Sequence, residues 1–255
     1  MNNVTYDQII TAASLKADEL RSLLPKLPSN KELELYDNKI NAVDQQLIKA
    51  VKMHLDKWGV AYGHAFEEHH RKIASLSAYV ADIECRERNI TGEIKDEIIQ
   101  RSWRLGLLHD IERWRGHGIE HQKEGARVTK QKLEELEIRD QYLIEQVLLH
   151  DDMEVKSRNN PAFDISFFSV FAVDHLNWGT EWERQKWEGH KKKKTPPEQA
   201  IHDFKFMFIL LNSPNLQQTK WGREVVLPYI NFGIEIARHV EKTFMSTDTF
   251  PKDPC

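Results

Sequence analysis

The sequence predicts an all-α fold. Apolar residues recur at helical spacing along most of the chain, and no run of alternating apolar and polar residues is bounded by hairpin turns. The one stretch that reads at first as a buried strand, ISFFSVFAVD, carries a helical stripe: Phe167, Val170, Phe171 and Asp174 fall on one side of a helix.

The elements follow in order. An N-terminal helix is expected over about residues 5–24, stopped by Pro25 and Pro28. Leu27 to Lys31 is a short linker, and the helix after it ends near Gly59 or Gly63. The next helix starts near Ala65 and carries His69, Ile73, Leu76, Val80 and Ile83 on one face. A turn at Asn89 to Gly92 leads into a helix with Ile94, Ile98, Leu105 and Leu108 as its stripe, and this helix ends at the doublet His109-Asp110. A loop from Arg115 to Gly118 precedes a helix in which His121 is followed by Gly125, Val128, Leu133 and Leu136. Residues 139–150 form another helix, with Leu143, Val147 and His150 on one side. After the ISFFSVFAVD helix comes a polar, Trp-rich segment, Trp178 to Lys194, and then two helices near 197–212 and 221–243.

A chain of 255 residues buries a sizeable core. The expected organisation is an N-terminal helical extension over 1–60, a metal-binding core over 61–180, and a basic loop with C-terminal helices over 181–255 that completes the same domain. With 36 basic and 40 acidic side chains the net charge is -4, which gives no global attraction to nucleic acid or anionic membrane. Cys85 and Cys255 are too few for a disulfide framework and fit a reducing cytoplasm. The start, MNNVTYDQII, lacks a basic segment followed by an apolar one, and no stretch approaches the roughly 20 apolar residues of a membrane span. A soluble, cytoplasmic protein without a membrane partner is expected.

The doublet poses the chemical question. A buried Asp is costly unless a cation or several donors neutralise it, and a buried His beside it needs a partner as well. A divalent metal satisfies both. His69, His109, His121 and His150 each project from the apolar side of a separate helix, and Asp110 and Asp174 join them. Imidazoles with carboxylates suit Zn, Fe, Mn, Co or Ni, with Mg a further candidate. Phase separates neighbours: His70 lies about 100° round the helix from His69, toward the small residues Ala74, Ser77 and Ala81, so His69 is the better ligand. His117 sits in a Gly-flanked loop and is assigned to the pocket rim, where it would contact substrate, whereas His121 opens a helix and is assigned to the metal.

The order His69, His109-Asp110, Asp174 on helices resembles the HD superfamily of metal-dependent phosphohydrolases. HHRKIASLSAYVA is similar to its first-histidine helix, GLLHDIERW to its doublet, HQKEGARV to the helix of members with a second metal, and AVDHL to its final aspartate. The match spans about residues 64–178. The resemblance implies a helical bundle in which His69, His109, Asp110 and Asp174 hold one ion, Asp110 bridges to a second, and His121 and His150 hold that second ion. Members with only the first four ligands work with one ion, so one or two are expected.

The activity implied is hydrolysis of a phosphomonoester or phosphodiester of a nucleotide or small metabolite by a metal-activated hydroxide, with Asp110 at its centre. Related phosphohydrolases often place a phosphate-contacting lysine four residues after the doublet histidine. Arg113 stands there, as a candidate for both catalysis and substrate binding, or in a surface salt bridge with Glu112 or Glu120. The alternative activity, seen in some HD-type proteins with six ligands, is oxidation of a small polar substrate by a mixed-valent di-iron pair.

Other features admit plainer readings. Asp151-Asp152 is expected to cap the next helix or be solvated rather than to support His150. Trp178 and Trp182, spaced i, i+4, would share a face; with Trp187 they pack the C-terminal helices or form a flap. Lys191 to Lys194, before Pro196-Pro197, reads as an exposed loop and not as a nucleic-acid strip. The late stripe Trp221, Val225, Ile230, Ile234 and Ala237 is core or a homodimer contact.

Overall fold

The structure is a computed structural model that describes residues 4–57, 66–113 and 120–245. Among these residues it is all-α, with no strand. In chain order the helices are α1 (Tyr6–Leu20), α2 (Asn30–Asp37), α3 (Ala42–Lys57), α4 (Lys72–Glu87), α5 (Gly92–Leu108), α6 (His121–Glu135), α7 (Gln141–Leu149) and α8 (Pro161–Asp174). There follow α9 (Asn177–Thr180), α10 (Gln185–Lys193), α11 (Pro197–Ala200), α12 (Lys205–Leu211), α13 (Pro214–Gln217) and α14 (Leu227–Phe244). No helix among the described residues is long and apolar enough to cross a membrane.

The chain forms two compact units. One runs from Leu27 to Asp174; the other joins the residues up to Lys26 with those from His175 onward. This division differs from the expected boundaries near 60 and 180, because polar ties bind α2 and α3 to the helices that follow. The Tyr36 hydroxyl donates to Asp82 on α4 at 2.6 Å, and Arg104 Nε and Gln100 Nε2 on α5 donate to the buried Asp44 at 2.7 and 2.8 Å.

Within the first unit, the single expected helix before residue 59 is two. Ser29 and Glu32 form a capping box that opens α2, and the Asn41 side chain accepts from the Asp44 amide at 2.9 Å to open α3. The side chain of Asn41 thus competes with helical continuation across Asn38 to Asn41. Ahead of α4 stands a π-helical turn, Glu67–Arg71, closed by an Arg71 amide to Phe66 carbonyl bond of 3.0 Å. The expected helix start at Ala65 and the loop from Arg115 to Gly118 lie outside the described residues.

Helices α4, α5 and α8 form the centre of the unit, joined in part by Ala81, Cys85, Ile98 and Ile165. The closest approach is at Gly106, where a Cβ would lie 2.8 Å from the Ala74 Cα. This close approach accounts for the full burial of the small-residue face of α4, the face on which the sequence places His70. Two expected stripes are corrected. Ile94, in the first turn of α5, is 59% exposed, so the buried stripe starts at Ile98. In α8 every residue from Phe163 to Val173 is buried, so the helix has no polar face for a stripe to oppose.

The second unit is built on α14, whose late stripe from Trp221 to Ala237 is buried, continuing through a π-helical turn at Gly222–Val226. Gly179 of α9 meets it so closely that a Cβ would overlap the Tyr229 carbonyl oxygen. Trp182 and Trp187 are fully buried against Phe204, with the Trp187 indole donating to the Trp182 carbonyl at 2.9 Å. They are core of this unit rather than a flap. Trp178 does not share their environment: α9 ends at Thr180, and the ring packs on Phe206 with the Lys186 ammonium 4.1 Å from its centroid. Lys191 to Lys194 is not a loop. The first three lysines form the last turn of α10, where cations complement the carbonyl end of the helix dipole, and Lys191 pairs with Asp7 at 2.7 Å.

Candidate metal centre

Five elements of the Leu27–Asp174 unit aim their ends or turns at one place. The π-helical turn before α4 carries His69, the end of α5 carries His109 and Asp110, the start of α6 carries His121, the end of α7 carries His150, and the last residue of α8 is Asp174. All but His69 and Asp174 are buried, and those two are half-buried.

Backbone carbonyls fix the imidazoles. His109 Nδ1 lies 2.8 Å from the Gly106 carbonyl and His150 Nδ1 lies 2.7 Å from the Val147 carbonyl. A carbonyl only accepts, so each Nδ1 carries the proton and each Nε2 is left with a lone pair when the ring is neutral. This is the usual arrangement behind a metal-binding histidine. His109 Nε2 makes no aligned hydrogen bond, although Asp174 Oδ1 is 3.3 Å away and Asp110 Oδ2 is 3.6 Å away.

The donors fall into two groups that share Asp110. Its Oδ2 faces His109 and His69, the latter with Nε2 at 3.5 Å. Its Oδ1 faces His150 Nε2 at 3.1 Å and His121 Nε2 at 3.7 Å, and these two ring nitrogens are 3.3 Å apart. Donors held by one ion at about 2.0–2.2 Å stand roughly 3.0–3.5 Å from one another. The observed separations, from 3.1 to 3.7 Å, lie at or a few tenths of an ångström beyond that spacing. His69, His109, Asp110 and Asp174 form one set able to hold an ion, and Asp110, His121 and His150 form the other.

The electrostatics agree. Burial opposes charge on Asp110, but the surrounding His109, His150 and His69 hold its carboxyl well below the usual range. Burial likewise opposes protonation of His109, yet Asp110 and Asp174 outweigh it and push the imidazole up to about 9. The group therefore demands positive charge. His70 is different: burial pushes its imidazole down to about 3, and its Nδ1 donates to the Leu107 carbonyl at 3.0 Å. Adjacent in sequence, the two histidines stand with rings 86° apart, and His69 alone joins the donors.

Two other expectations change. Arg113, with its side chain 40% exposed, pairs neither with Glu112 nor with Glu120 but with Asp110 at 3.3 Å and Asp151 at 3.4 Å. Glu112 is fully buried and meets His54 of α3 at 2.6 Å, a tie between α3 and the doublet that sequence spacing does not reveal. Asp151 is neither a helix cap nor solvated: its Oδ2 lies 3.1 Å from His121 Nε2. The only sequence signal for it is adjacency to His150. His117 lies outside the described residues. Gly125 meets Val147 of α7 at ordinary contact distance, 3.4 Å from its would-be Cβ.

No family model, curated protein or solved structure matches the chain.

Proposed function

We propose that this chain is a metal-dependent phosphohydrolase of the HD kind, acting on a phosphomonoester or phosphodiester of a nucleotide or small metabolite. The observation that carries the reading is the division of Asp110: one carboxylate oxygen faces His69 and His109, the other His121 and His150. A carboxylate divided in this way would suit a two-ion site.

The residues divide the work. His69, His109, Asp110 and Asp174 would hold one ion, and His121 and His150, with Asp110 between, a second. Fe, Mn, Co, Ni and Zn all suit this donor set. When bound there, divalent ions would supply Lewis acidity, lowering the pKa of water and drawing charge from phosphoryl oxygens. The Gly106 and Val147 carbonyls keep His109 and His150 in the ligating tautomer. Arg113 is the one described Arg or Lys paired directly to Asp110, and its half-open guanidinium suits two phosphate oxygens at once. That cation suits a phosphate-bearing substrate, which supports the hydrolytic reading.

The test is anaerobic determination of metal content, followed by assay of phosphate release from nucleotides and generic phosphoesters with Mn, Fe, Co and Ni. Release with more than one of these ions is expected. Oxygen-dependent turnover without phosphate release would overturn the hydrolase reading.

A further inference from the structure

The donor set around His121 and His150 has three members with Asp110, one fewer than the set around His109. Asp151 stands beside this set. Its two oxygens face the two histidines separately, Oδ2 at 3.1 Å from His121 Nε2 and Oδ1 at 3.6 Å from His150 Nε2. Its side chain is about one quarter exposed, so the carboxylate is not simply a solvated surface group.

One cation already sits on this carboxylate. Arg113 NH1 is 3.3 Å from Asp110 Oδ1 and 3.4 Å from Asp151 Oδ2. These are the same two oxygens that face His121 Nε2, at 3.7 and 3.1 Å. A single guanidinium nitrogen thus occupies the charge-balancing position that an ion held by His121, His150, Asp110 and Asp151 would take over. Two cations cannot share those oxygens without repelling each other across a few ångströms of half-buried space.

We propose that Asp151 is the fourth protein donor to the second ion, and that Arg113 is that ion's internal competitor, holding Asp110 and Asp151 until the ion displaces it and frees it for an anionic substrate. The inference rests on the two-ion reading of this site but not on hydrolysis. Arg113 here has one position before the ion and another after it, and loading the second ion is what makes the substrate cation available. The second ion therefore binds more weakly than its four donors alone would give.

Metal-stripped full-length protein titrated with Co2+ alone tests this, with heat and visible absorption recording stoichiometry, affinity and coordination. Wild type is expected to take up two ions, the second more weakly. Asp151→Asn, nearly isosteric, should leave the first ion unchanged and weaken the second about ten-fold or more. Asp151→Glu should restore part of that loss. Arg113→Gln should tighten the second ion on the order of ten-fold, because it removes the competing charge without removing a donor.

A second-ion affinity unchanged in Asp151→Asn, or unchanged or weaker in Arg113→Gln, overturns the proposal. Thermal melts of the ion-free variants confirm that each is folded. A wild type that binds no ion overturns this inference and the metal-centre reading together. The expected pattern without phosphate release overturns only the hydrolase.

Discussion

At the scale of the residue, the centre is decided by which nitrogen or oxygen points where. His109 and His150 each spend one ring nitrogen on a carbonyl three residues back and present the other to Asp110 and its neighbours. Four histidines, His69, His109, His121 and His150, bring lone pairs or protons to the same carboxylate, an arrangement that a cation resolves and an apolar substitution would not. Asp110 is the only described donor in both sets, so its loss differs in kind from loss of any histidine. Asp110→Asn is expected to lose both ions, His109→Ala the first alone, and His150→Ala the second alone. Metal analysis after equilibration with excess Co2+ reads the stoichiometry directly. An Asp110→Asn protein that retains two ions would remove the bridge from the argument.

At the scale of the element, the donors are placed by helix ends, and helix ends depend on how the helices are fastened. The Gly106 carbonyl that orients His109 belongs to the residue at which α5 presses on the Ala74 backbone of α4, so close packing and ligand orientation meet at one position. Farther from the centre, Asp82 on α4 fastens three helices at once, accepting from the Tyr36 hydroxyl of α2 and pairing with Lys95 of α5 at 2.5 Å. Burial works against its charge, but Lys95 and Tyr36 prevail and hold the carboxyl below its ordinary value of 3.8. A carboxyl depressed in the folded state contributes stability that is present above the unfolded pKa and is lost as pH falls through the folded one. Asp82→Asn is therefore expected to cost about 1–3 kcal/mol near pH 7. The gap from wild type should narrow below about pH 4, where wild type loses the same charge. Melting temperature followed from pH 7 to pH 2.5 checks this; a gap that persists unchanged into acid would show that Asp82 acts by shape and not by charge.

At the scale of the whole molecule, the parts legible in the sequence are those governed by periodicity. The all-α class and the choice of His69 over His70 follow from which residues share a face, and the structure brings His69, His109, Asp110, His121, His150 and Asp174 into two overlapping donor groups. What was not legible depends on contacts between distant segments. The His54–Glu112 pair spans 58 residues and the Arg113–Asp151 pair spans 38, and neither leaves a periodic trace. The grouping of residues up to Lys26 with the C-terminal helices is long-range in the same way, as when Arg21 meets Glu183 at 2.8 Å. Because all six donors lie between Leu27 and Asp174, ion binding should stabilise that unit by linkage. At an ion concentration of 100 times Kd the gain is about 2.7 kcal/mol per site. Hydrogen exchange read peptide by peptide should then slow in the turns at residues 109–113 and 150–152, where carboxylates that repel one another in the ion-free chain become bound. Removal of the ion by a chelator should restore fast exchange in the same peptides. Uniform slowing from α1 to α14, with no concentration in those turns, would mean that the ion binds elsewhere than at the six donors.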